Sequence, residues 1–136
     1  MYDVIPIPGK NRVDCGPTCL AMLLNYYGLP YDQDQLIEEC GCDITGCSAK
    51  TMLKVGRDHG LDMKSYKTDV DGVLNADRPS IIWWQYDHFV VCCGLDEDGQ
   101  VVICNPSSGR YHISRGSFAA FYTGIALTNG EMGDIE

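Results

Sequence analysis

Residues 88–109, HFVVCCGLDEDGQVVICNPSSG, hold two apolar runs rich in β-branched residues around the turn DEDG. That composition reads as an antiparallel hairpin, with strands over HFVVCCGL and QVVICNP. Strand-like segments flank it: PSIIWWQ (79–85) before, GRYHIS (109–114) and GIALT (124–128) after, with SRGSFAAFY (114–122) as a short helix between the last two. LDMKSYKT (61–68) alternates as a half-buried strand does, and VDGVLN (70–75) fits one helical turn. Upstream of residue 61 the apolar spacing is helical. In DCGPTCLAMLLNYYG (14–28), Asp14 can cap a helix, Pro17 suits its first turn and Gly28 stops it, which predicts a helix over 15–27. Its apolar residues cover nearly every side, so this helix is buried. Further helices are predicted over 34–40 and, from a Ser48 cap, to Gly60. Helices first and an antiparallel sheet afterwards describe an α+β fold, an N-terminal helical subdomain packed on a C-terminal sheet.

The 136 residues suit one domain, expected over 1–128, with NGEMGDIE (129–136) as a frayed acidic tail. A net charge of −9 removes the electrostatic footprint of a nucleic-acid binder. No apolar run is long enough to span a bilayer and the first residues lack a signal-peptide pattern, so no membrane insertion and a cytoplasmic location are expected. In that compartment the eight cysteines are expected as reduced thiols. Adjacent Cys92 and Cys93 would point to opposite sheet faces as small buried hydrophobes. Cys40, Cys42 and Cys47, with His59 as a fourth ligand, make a partial zinc pattern, but the Cys-x2-Cys knuckle spacing is absent. No metal and no cofactor are expected.

Cys15 stands at the mouth of the first helix. There the unpaired N–H groups and the positive end of the macrodipole stabilise a thiolate and can receive an oxyanion. Gly16 beside it leaves room for a substrate backbone, whereas Cys19, one turn deeper, reads as core. A thiol nucleophile needs a base. His59 lies at a helix C-terminus and His112 inside a short strand, where local roles suffice. His88 opens a strand at the rim of the sheet, where a cleft would form. The DEDG turn returns the next strand so that Asn105 ends at the same edge, where its amide oxygen can accept from the imidazole.

DCGPTCLAMLLNYYG, HFVVCCGLDEDGQVVICNPSSG and FAAFYTGIAL together resemble the double-glycine leader peptidase family: papain-like cysteine peptidase domains of bacteriocin-exporting ABC transporters, and free-standing relatives. The resemblance runs over nearly the whole chain. It implies a papain-like fold with the site between helices and sheet, Cys15 as nucleophile, His88 as base, and Asn105 where the family more often has aspartate. It also implies a peptide or leader-peptide substrate cut after small residues at a Gly-Gly junction, and an ABC transporter as a second partner. The family places an oxyanion-hole glutamine six residues before the cysteine; here that position is Gly9. Asn11, the nearest side-chain amide, is shorter and out of register with it. A slow peptidase is therefore expected; the alternative is an impaired relative that binds a leader or a transporter without efficient cleavage. Trp83, Trp84 and Tyr86 are candidates to narrow the cleft, or to pack the core. Water or another nucleophile could take the acyl group, so hydrolysis and transpeptidation both stay open.

Overall fold

A computed structural model describes residues 1–11, 13–43, 46–86 and 88–130. The first helix, α1 (Cys15–Tyr26), has residues 15–24 all buried. Each fully buried Leu or Met of its length contributes about 1.5–3 kcal/mol relative to exposure. Two further helices pack beside it. In α2 (Gln33–Cys40) the Asp32 carboxylate accepts the Gln35 N–H at 3.2 Å. In α3 (Ala49–Asp58) the predicted cap Ser48 accepts the Thr51 N–H at 3.1 Å.

Six strands follow among the described residues: β1 (Met63–Lys67), β2 (Ser80–Trp84), β3 (His88–Leu95), β4 (Val101–Asn105), β5 (Gly109–Ile113) and β6 (Tyr122–Asn129). They form one antiparallel sheet in the order β1-β6-β2-β3-β4-β5. Among the described residues two short helices, α4 (Val70–Leu74) and α5 (Arg115–Phe121), make up the remaining elements. Ile81, Phe89, Val91, Cys93, Val102, Cys104 and Leu127 share a buried cluster with α1, α2 and α3. Ile82, Trp84, Val90, Cys92, Ile103 and Ala126 form a second one with Val73, Leu74 and Phe118 of α4 and α5. The α+β expectation holds, with α4 and α5 adding a third layer. Strand β6 runs one residue into the segment expected as a tail; residues 131–136 lie outside the described residues.

The β3–β4 hairpin contains a detail that the turn alone does not specify. Val91 faces Cys104 and Cys92 faces Ile103, but beyond Gly94 the register shifts and Leu95 faces Val101. Gly94 has φ +84° and lies against the Tyr2 ring, the conformation of a glycine bulge. Directly opposed residues share a sheet face. Below the bulge, even-numbered β3 residues therefore share a face with odd-numbered β4 residues, and His88 lies on the same side as Asn105. Had the outer register continued, Asn105 would face away from His88.

The cysteines divide differently from expectation. Cys92 and Cys93 do fall in opposite core clusters. Cys42 and Cys47, however, are joined as a disulfide with Cα atoms 4.6 Å apart, correcting the expectation of eight reduced thiols. The sequence spacing of five is enough because Asp43 and Gly46 pair across the turn, with Gly46 at φ +88°. The partial zinc pattern is not assembled: Cys40 is buried, Cys42 and Cys47 bond each other, and His59 Nε2 lies 2.5 Å from Glu39 Oε1.

Candidate active site

A cavity of about 190 Å³ opens where the N-terminus of α1 meets the ends of β3 and β4. Pro8, Gly9, Asn11, Asp14 and Cys15 form one wall; His88, Pro106 and Ser107 form the other. The walls are tied together by the Gly9 N–H, which donates to the Pro106 carbonyl at 3.0 Å. Cys15 is 9 % exposed, against 5 % or less for the five other free thiols.

Asn105 lies behind the imidazole. His88 Nε2 is 2.9 Å from Asn105 Oδ1. The Ser107 backbone N–H also donates to that Oδ1, at 2.8 Å, so the atom must be the amide oxygen. An amide oxygen only accepts, hence Nε2 carries the hydrogen and the neutral ring presents Nδ1 as a lone pair. The Asn105 Nδ2 end reaches the Tyr111 hydroxyl at 3.5 Å. Cys15, His88 and Asn105, three residues remote in sequence, are thus brought to one place.

Asp14 departs from its expected role. It occupies the N-cap position, yet its side chain makes no capping hydrogen bond. The carboxylate, 1 % exposed, instead accepts the Lys10 N–H at 2.6 Å and the Asn11 N–H at 3.2 Å. The capping carboxylate is thereby turned away from the first-turn amides of Cys15 and Gly16, which have no acceptor within the helix. Pro17 contributes no N–H at all. The mouth of α1 is left able to donate to an anion.

Position 9 is closed to a side chain by the same carboxylate. A Cβ on Gly9 would sit 2.7 Å from Asp14 Oδ1. The space beside Gly16 is also filled, since a Cβ there would meet Met52 Sδ at 2.8 Å and Cys47 Cβ at 3.2 Å. Its missing side chain serves helix packing, not the substrate approach anticipated from sequence. Asn11, shorter than a glutamine, nevertheless reaches the cavity wall because the segment folds back around Asp14.

The remaining candidates separate cleanly. His112 Nδ1 pairs with Asp96 Oδ2 at 2.6 Å and His59 with Glu39, both away from the cavity. Trp84 is core, its ring 5.5 Å from that of Phe118. Trp83 is half-buried, stacks at a tilt on Phe89 at 4.6 Å, and with Cys47, Ala49 and Ile125 lines an apolar hollow of about 240 Å³. Tyr86 is exposed in the β2–β3 turn at φ +63°, after Gln85 at φ +56°. Elsewhere burial pushes thiols up: Cys40 to about 12, Cys92 to about 11, and Cys19 far above its ordinary value. Cys93 is held protonated by its hydrogen bond to Cys104, which that bond and Arg110 bring down to about 7. Cys104 is nevertheless fully buried. The residues missed from sequence are Gly94, Ser107 through its N–H, and the buried Asp14 carboxylate; a lone glycine inside a strand was the available signal for the first.

Known proteins share this fold. The structure superposes on the crystal structure of a double glycine motif protease from an AMS/PCAT transporter in complex with the leader peptide, with a TM-score of 0.88 and 31% identity over 93% of this chain and 90% of that one. The peptidase domain of Streptococcus ComA shares the fold, with a TM-score of 0.84 at 24% identity over 94% and 97% of the two chains. By sequence the chain is 29% identical over 124 residues to the lactococcin-G-processing and transport ATP-binding protein LagD of Lactococcus lactis subsp. lactis, covering 87% of this chain and 18% of that protein. It is 22% identical over 125 residues to an uncharacterized protein of Methanothermobacter marburgensis, covering 92% and 87%. The chain thus spans less than a fifth of the length of the transporter relative and most of the length of the archaeal one. Among the described residues no helix is long and apolar enough to cross a membrane. With residues 5–131 matching the sequence profile of the Peptidase C39 family, the chain belongs to that family of cysteine peptidases.

Proposed function

We propose that this chain is a cysteine peptidase that cuts a leader peptide after small residues, at a Gly-Gly junction, with Cys15 as nucleophile, His88 as general base and Asn105 as its orienter. The observation that carries it is the assigned tautomer: Asn105 Oδ1 holds the hydrogen on Nε2 and leaves Nδ1 to accept the thiol proton in the cavity that also contains Cys15. The thiolate attacks the scissile carbonyl, an S–C bond forms, and the carbonyl π pair moves onto oxygen. The first-turn amides at the mouth of α1 receive that charge. As the C–N bond breaks, the imidazolium returns its proton to the leaving amine. Water, deprotonated by the same imidazole, then hydrolyses the thioester.

A preference for glycine follows from the small cavity, closed by the Gly9–Pro106 bridge. The hollow at Trp83 and Phe89 and an apolar groove along Leu53, Tyr66 and Leu127 share Ala49 and Ile125, and give an extended peptide an apolar bed beyond the site. A leader peptide bound to a 31% identical structure supports this class of substrate. Gly9 favours the second reading, an impaired relative that binds without efficient cleavage.

The test is a Gly-Gly leader peptide with wild type and Cys15→Ala, followed by mass spectrometry, alongside site-resolved iodoacetamide labelling. Expected are cleavage after the second glycine by wild type alone, and labelling of Cys15 well ahead of the other free thiols. Fast labelling without cleavage would leave the impaired relative; uniform slow labelling would end the enzymatic assignment.

A further inference from the structure

Attack at a carbonyl needs donors placed at the developing oxyanion, and removing one costs about 10²–10³ in turnover. The backbone of α1 supplies part of the set. A side chain in the cavity wall can supply the other part. Among the wall residues, side-chain hydrogens able to donate belong to Asn11, His88 and Ser107. On the peptidase assignment, His88 gives its Nε2–H to Asn105 and keeps Nδ1 for the thiol proton. Ser107 follows β4, and its N–H is anchored to Asn105, on the imidazole side of the cavity. Asn11 stands on the nucleophile's side.

We propose that the side-chain amide of Asn11 is the second oxyanion donor, held in place by the buried Asp14 carboxylate; this rests on the peptidase assignment above. Two anchors fix the residue. Its backbone N–H donates to Asp14 Oδ2 at 3.2 Å, and its Oδ1 accepts the Val13 N–H at 2.8 Å in an Asx turn. With the acceptor end engaged, the end presented to a ligand is Nδ2, which has no partner among the described residues. Asp14 also explains why the donor lies two residues after Gly9. The carboxylate occupies the space that a Cβ at position 9 would enter, and cannot retreat without giving up the Lys10 and Asn11 amides. A glutamine placed at position 9 alone would therefore displace the device that seats Asn11.

The experiment compares wild type, Asn11→Ser, Asn11→Ala and Ser107→Ala. Serine keeps the short acceptor for the Val13 N–H through an ST turn but removes the amide donor. Three quantities are read: kcat on the Gly-Gly peptide, the dissociation constant of a peptidyl glycinal whose hemithioacetal oxygen takes the oxyanion's place, and the iodoacetamide rate of Cys15. Alkylation by iodoacetamide forms no oxyanion at the protein, so it reports the Cys–His pair alone. Expected for both Asn11 variants is a loss of about 10²-fold in kcat, a parallel weakening of the aldehyde, and an alkylation rate within a factor of about two of wild type; Ser107→Ala loses less. The inference is overturned if Asn11→Ser keeps its kcat, if Ser107→Ala loses more than Asn11→Ser, if wild type binds no aldehyde, or if alkylation falls in step with kcat. Slow alkylation of Cys15 in wild type would instead end the peptidase assignment itself.

Discussion

The two walls of the cavity are built on different principles. The wall bearing His88 is the end of a regular hairpin, and its geometry follows from strand register. The wall bearing Cys15 is an irregular segment before a helix, and its geometry follows from one buried carboxylate that gathers two backbone amides. A register is a collective property: single side chains along it can change while it persists, but inserting or deleting one residue turns half of it over. A buried anion is the reverse. Its neighbours can vary in length, yet losing the one oxygen that takes both amides leaves two donors unpaired at once.

Removing Gly94 attacks the first wall and has the largest expected effect. Closing the bulge puts His88 and Asn105 on opposite faces, and an imidazole without its orienter loses the productive tautomer, a defect worth about 10⁴ in kcat in triad enzymes. Gly94→Ala is milder: φ +84° disfavours a Cβ by about 1–2 kcal/mol, though the nearest atoms of Tyr2 leave room at 3.5 Å. The deletion mutant should remain folded by far-UV circular dichroism while peptide cleavage disappears. If the deletion keeps wild-type turnover, the register does not set the site.

Asp14→Ala strikes the second wall. It leaves the Lys10 and Asn11 N–H groups without their acceptor, and about 2–3 kcal/mol of stability should be lost. Chemical denaturation measures this; a loss under 0.5 kcal/mol would mean the carboxylate is not the organiser. Below it ranks the Cys42–Cys47 disulfide, which closes a short loop beside Gly16. Chain entropy assigns such a loop about 2 kcal/mol. The midpoint of unfolding should fall on adding reductant to wild type and stay put in the Cys42→Ser, Cys47→Ser double variant.

The strength of each prediction tracks how much of each wall was legible in the sequence. The hairpin, its partners and the buried α1 were readable because period-two and all-round apolar patterns are local signals. The meeting of His88 and Asn105 was read from the DEDG turn, but a plain hairpin count cannot see a bulge, and Gly94 was the only mark of it. Asp14 illustrates the limit. As a residue before a helix it reads as a cap, since capping is the local use of a carboxylate there. Its actual partners at positions 10 and 11 depend on the path of a loop that Gln33 also fastens, through the Pro8 carbonyl at 2.9 Å and the Thr18 hydroxyl at 3.0 Å. The Cys42–Cys47 disulfide is not legible in its spacing, because the two thiols meet only once Asp43 and Gly46 pair across the turn. Side-chain partners of loops are set by tertiary packing, and that is where sequence inference stopped.

The smallest effect lies at the far end of the same hairpin and separates its stability from its role in the site. Asp96 accepts from His112 and from the Asp98 and Gln100 backbone amides across the DEDG turn. The His112 hydrogen bond, then those amides, hold its carboxyl below the ordinary aspartate value. A depressed folded-state pKa means the turn gains stability above the ordinary carboxylate range and loses it as pH falls through the lowered value. Asp96→Asn should therefore flatten the acid limb of the hairpin's hydrogen-exchange protection, with kcat at neutral pH unchanged, because Asp96 and the cavity lie at opposite ends of β3. A drop in kcat with this variant would show that the turn end, and not only the bulge, transmits register to His88. Unchanged turnover with a lost acid limb would place the structural control of the first wall between Gly94 and the cavity, on the strand side of the bulge and not in the turn beyond it.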